Sequence, residues 1–151
     1  MPSEIKQRVD NAVKDAMRAR DKQRVGALRL MTAEMKRVEV DERIELDDAR
    51  VLQIFDKLVK QRKDSLAQYK QAGRDDLAAQ EQFELDLLKE FMPDALDEAA
   101  IAELVDEAIK ETGATAMKDM GQVMGALRPK VQGRADMGQV SALVKSRLAG
   151  A

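Results

Sequence analysis

The sequence predicts an all-α protein, with a four-helix section over residues 1–93 followed by a three-helix section over residues 94–151. Three observations carry this reading. Aromatic residues make up only 3% of the chain, and no stretch alternates apolar and polar residues with a period of two, so the material and the pattern of a sheet are both missing. Ala, Leu, Glu, Lys and Arg, the strong helix formers, are abundant. Apolar residues also recur three and four apart in segments separated by capping residues, Gly or Pro. A length of 151 residues suffices for one compact domain or two small ones.

The first helix places Ile5, Val9, Ala12, Val13 and Ala16 on one stripe, with Ser3 positioned to accept from the free amides of its first turn. Asp21 opens a second helix along Val25, Leu28, Met31, Met35 and Val38, and a charged connector follows around Asp41–Leu46. Asp47 starts a long third helix carrying Val51, Phe55, Leu58, Arg62, Leu66 and Tyr69, closed by Gly73 just past its end. Asp75 or Asp76 is expected to cap the fourth, in which Leu77, Leu85, Leu88 and Phe91 lead to Pro93. The short links favour antiparallel neighbours, arranged up and down.

Pro93 marks the boundary, because proline disfavours helix in the residue before it. Leu96, Asp97 and Ile101 then form an apolar staple around an N-cap, opening a helix through Leu104, Val105, Ala108 and Ile109 to Gly113. A sixth helix uses Met120, Val123, Met124, Leu127 and Val131, kinked or ended by Pro129. Gly133–Asp136 reads as a turn, and Val140, Leu143, Val144 and Leu148 as the apolar face of a seventh helix.

Charge is unevenly distributed. Residues 1–91 hold 19 basic and 19 acidic residues; residues 92–111 hold one and seven; residues 112–151 hold six and two, a local net of +4. The chain has no cysteine and no histidine, which excludes disulfides, thiolate chemistry and the usual zinc ligands. No apolar run approaches the roughly 20 residues that span a bilayer, so no membrane partner is expected. The start Met-Pro-Ser-Glu-Ile-Lys lacks the apolar core of a signal peptide, and the expectation is a cytosolic protein.

The stretch from Gly113 to Gly138, with Lys118-Asp119-Met120-Gly121, Val123-Met124-Gly125, Arg128-Pro129-Lys130 and Gly133-Arg134-Ala135-Asp136-Met137-Gly138, resembles the C-terminal signature of the GatB/YqeY family. Lys60–Ser65, Ala72–Leu77 and Glu90–Pro93 extend the resemblance over nearly the whole chain. That family is similar to the tail of the B subunit of tRNA-dependent amidotransferases, carbon–nitrogen ligases that use glutamine as amido donor. The resemblance implies a helical protein that holds tRNA, or a complex carrying tRNA, while chemistry happens elsewhere. A protein–protein adaptor is the alternative, and an amido-transferring enzyme a further one. No Gly-rich phosphate loop, Cys nucleophile or His base is present, so no catalytic residue, cofactor or metal is expected. Glu81 and Glu84, at helical spacing, read as a solvated face rather than a metal site.

With about 100° per residue and Met120 as zero, Gly121 and Gly125 fall about 100° and 140° away, off the apolar stripe, beside Lys118. They leave a bare strip on which either a neighbouring helix packs or a nucleic-acid backbone or partner chain makes a close approach. Residues 92–151 contain no aromatic side chain, so base stacking is not expected. Phosphate contact is, through Lys118, Arg128, Lys130, Arg134 and Lys145, unless the acidic helix before them neutralises these cations. Lys57, Lys60, Arg62, Lys63 and Lys70 line the third helix against only Asp56 and Asp64, with Arg62 expected to form a structural ion pair.

Overall fold

Helices form from the first turn to the last. The computed structural model describes residues 2–150, and its described residues contain seven α-helices and no strand. They are α1 (Glu4–Arg18), α2 (Lys22–Glu42), α3 (Asp48–Gln71), α4 (Asp75–Glu90), α5 (Glu98–Thr112), α6 (Met120–Val131) and α7 (Met137–Ala149), with a single 3₁₀ turn, Met117–Asp119, leading into α6. The chain divides into two compact units, Met1–Met92 and Pro93–Ala151, each with its own apolar core.

In the first unit, α1 pairs with α2 and α3 with α4. Lys6 at the start of α1 meets Glu39 at the end of α2 at 2.7 Å, which fixes that pair as antiparallel. Ser3 accepts from the Lys6 amide, as expected of an N-cap, and its hydroxyl also donates to Asp48 at 2.5 Å. Asp48 accepts from the Ile5 amide as well, so one carboxylate joins the beginnings of α1 and α3. Gln23 reaches Gln80 while the adjacent Arg24 reaches Glu90, ten residues further along α4. The start of α2 therefore lies beside the middle of α4, a stagger that a regular up-and-down arrangement would not have. Phe55, Leu28, Met35, Val9 and Val51 are fully buried where the four helices meet; burying a side chain of this size is worth about 1.5–3 kcal/mol.

Three local expectations need correction. The connector after α2 is shorter than expected: the helix runs to Glu42, Arg43 closes it with a left-handed backbone (φ 54°), and Leu46 is a core residue at 1% exposure. Neither Asp75 nor Asp76 is the cap of α4. Arg74 occupies that position without a side-chain cap bond, and its guanidinium pairs with Asp76 at 3.2 Å, so the two acids act from the first turn, where the helix dipole favours them. Glu81 and Glu84 are not a solvated face. Both converge on Arg62, at 3.2 and 3.0 Å, and Glu81 is buried. The expected ion pair of Arg62 is thus present, with two acids rather than one.

In the second unit Asp97 caps α5 by accepting from the Ala100 amide, and Gly113 ends it with φ +67°. Val105, Ala108, Val123, Leu127, Val131, Val140 and Val144 are fully buried between α5, α6 and α7. Pro129 lies inside α6 and does not end it; the helix continues to Val131, anchored by that buried valine. Asp136 caps α7 by accepting from the Gly138 amide at 2.8 Å.

Candidate nucleic-acid interface

α6 buries Val123, Leu127 and Val131, four residues apart, so its opposite side must face outward. Gly121 and Gly125 are exposed there, and a β-carbon added at either would meet nothing within 4 Å. Among the described residues of this unit, neither α5 nor α7 packs on the strip, so packing within the unit gives no reason for its glycines. Arg128 falls about 80° from Met120, on the same flank as Gly121 and Gly125. Lys118, in the 3₁₀ turn, precedes the strip.

The turn before α6 is organised by Asp119. Its carboxylate accepts from the Thr115 amide at 3.0 Å and the Ala116 amide at 3.2 Å. The bond from Thr115 above all holds its pKa below the usual carboxylate range against desolvation, with smaller help from the Ala116 bond and the nearby Lys118 charge. Lys118 is thereby set on a fixed turn rather than a loose loop. A short acid followed by helix-compatible residues is a weak signal, and in the sequence Asp119 stands out only as a charge.

The five predicted cations separate into two groups. Lys130 projects on the side away from Arg128 and pairs with Glu111 of α5 at 3.6 Å, and Arg147 pairs with Asp106 at 3.3 Å. The acidic helix therefore engages two basic residues of the tail. Arg134 is half-buried; its Nε donates to the Asp94 carbonyl at 3.0 Å, and its own carbonyl accepts from the Leu96 amide at 2.8 Å. It ties the segment before α5 to the α6–α7 turn. Lys118, Arg128 and Lys145 are exposed and make no ion pair with any described residue. Lys118 and Arg128 border the glycine strip, while Lys145 lies on α7.

Among the described residues no group of three or more acids is placed to hold a metal ion, and no helix is long and apolar enough to cross a membrane.

A family model described as YqeY-like protein matches residues 6–148. Curated relatives carry the name altered inheritance of mitochondria protein 41, mitochondrial. The one from Vanderwaltozyma polyspora is 29% identical over 116 residues, covering 72% of this chain and 62% of the relative. That from Eremothecium gossypii is 37% identical over 97 residues, covering 64% and 52%, and that from Pyrenophora tritici-repentis is 28% identical over 132 residues, covering 85% and 71%. The chain thus spans between 52% and 71% of the length of these relatives. Their names correct the cytosolic expectation: the relatives are mitochondrial proteins, and a cysteine-free chain without a signal-like start does not assign the cytosol. With a match that runs from the first turn of α1 to the last turn of α7, the chain belongs to the YqeY-like protein family.

Proposed function

We propose that this protein binds folded RNA of the tRNA type, or a complex carrying it, through the outer flank of α6, and performs no chemistry itself. The observation that carries the reading is an exposed strip at Gly121 and Gly125, open to at least 4 Å and bordered by the unpaired Lys118 and Arg128. Bare backbone lets a bulky polymer come close, and cations on the same flank meet its phosphates. The absence of aromatic side chains in the tail argues for reading shape and backbone rather than bases. The tRNA class itself comes from the resemblance to the amidotransferase tail.

The test is the salt dependence of tRNA affinity. Replacing Lys118, Arg128 and Lys145 with Gln should reduce the magnitude of the log–log slope by about 2–2.7, since each phosphate contributes about 0.7–0.9. Replacing Lys130 and Arg134 should change it less, because these two are engaged within the fold. No tRNA binding at low salt, or an unchanged slope in the triple variant, would overturn the reading. One observation favours the adaptor alternative: Met117, beside the strip, is 45% exposed, and a bare methionine suits an adaptable protein contact. Binding that survives high salt but is lost in Met117→Ser would favour that reading.

A further inference from the structure

The first unit carries a basic surface that its own packing leaves unused. α3 points Val51, Ile54 and Phe55 into the core and Arg62 into the Glu81–Glu84 pair. Lys60, Lys63, Ala67 and Lys70 recur at intervals of three and four, so they fall within an arc of about 80° and span about 15 Å of the helix axis. All four are exposed, and the three lysines make no ion pair with any described residue. Asp64 stands at the edge of the arc, about 40° beyond Lys60. Asp56, one turn before Lys60, is half-buried and not free.

We propose that the Lys60–Lys63–Lys70 face of α3 is a second phosphate-contacting surface, gripping the backbone of a folded RNA. The composition of the face selects this occupant. A membrane-binding helix needs bulky apolar residues flanking its cations, and this arc offers only Ala67. Protein interfaces are depleted in lysine and centre on aromatic or arginine anchors, none of which lies in the arc. Lysines set along one exposed face suit a row of backbone phosphates, which need point charges rather than shaped pockets. The proposal rests on the RNA reading above only in the choice of polyanion; it does not need the α6 flank to be the contact.

The experiment uses the full chain and fluorescently labelled folded tRNA, titrated from low to physiological salt. The variant Lys60→Gln/Lys63→Gln/Lys70→Gln keeps good helix formers, and circular dichroism checks that the helices persist. The control Lys14→Gln/Lys22→Gln/Lys36→Gln removes three exposed lysines elsewhere in the first unit. The α3 variant is expected to lower the slope magnitude by about 2–2.7, with the control within 0.5 of wild type. An equal fall in both variants, or none in the α3 variant, overturns the inference, and so does binding to phosphatidylserine vesicles but not to tRNA. A fall in the α3 variant with none in the Lys118/Arg128/Lys145 variant would uphold this surface and sink the α6 reading; the reverse would do the opposite.

Discussion

The hydroxyl of Ser3 sits 2.5 Å from the Asp48 carboxylate, and that contact determines how the start of the chain responds to acid. The Ser3 hydroxyl, followed by the Ile5 and Glu4 amides, holds Asp48 below its usual pKa, against partial burial that works the other way. A depressed carboxylate pKa stabilises the fold above the unfolded value near 4, and the contribution is lost as the pH falls through the native value. Asp48→Asn should therefore be less stable than wild type at pH 7 by about 1–3 kcal/mol, the usual worth of hydrogen bonds to a charged group. The gap should close as the pH falls below the unfolded value and through the lowered native value of Asp48. Denaturant melts at several pH values would show it; a constant gap would mean that the charge is not what matters. The capping half of this arrangement was legible, because serine three residues before a helical amide is a local signal. The other half was not, since nothing at Ser3 announces a partner 45 residues away. Arg43 was hidden for a related reason: its left-handed backbone is demanded by the close of α2, at a position where sequence alone would look for glycine or asparagine.

α6 shows what a single element can and cannot declare. Its buried face and the displacement of its glycines follow from spacing alone. Whether another helix lay on those glycines depended on where α5 and α7 settled, which periodicity does not encode. With open space at Gly125, Gly125→Leu should raise helix stability by up to about 1 kcal/mol while weakening tRNA binding. Thermal unfolding and affinity measured on the same sample check both halves. A drop in stability would show that the flank is already covered. The five cations were legible as a set but not as a division into engaged and free, because Lys130 finds Glu111 on another helix and Arg134 finds the Asp94 carbonyl 40 residues away. α4 illustrates the same limit in reverse. Its two opening acids suggested a cap, and only the fold reveals that Asp76 is occupied by its neighbour Arg74. On α3, likewise, Arg62 signalled an ion pair by lying on an apolar stripe, while its two partners on α4 could not be named.

At the scale of the molecule, two separate cores predict two unfolding events. Val105→Ala, in the second core, should cost about 1–3 kcal/mol and lower one transition while leaving the other in place. Calorimetry on the full chain would resolve them; a single transition that shifts as a whole would show that the units unfold together. The helical class was legible because so many residues repeat the same signal, and the core positions largely because burial follows the stripe. The stagger of α2 on α4 was not, since it depends on side chains from both hairpins meeting at once. That stagger has a consequence for the growing chain. α1 and α2 close on one another through a three-residue link as soon as both are made, yet Leu28, Met31 and Met35 stay partly uncovered until α3 and α4 arrive. About fifty residues separate the end of α2 from the end of α4, and at roughly 5–20 residues per second the ribosome needs some 2–10 s to supply them. For that interval the nascent hairpin presents an apolar, methionine-bearing face, the kind of surface that a ribosome-associated chaperone captures.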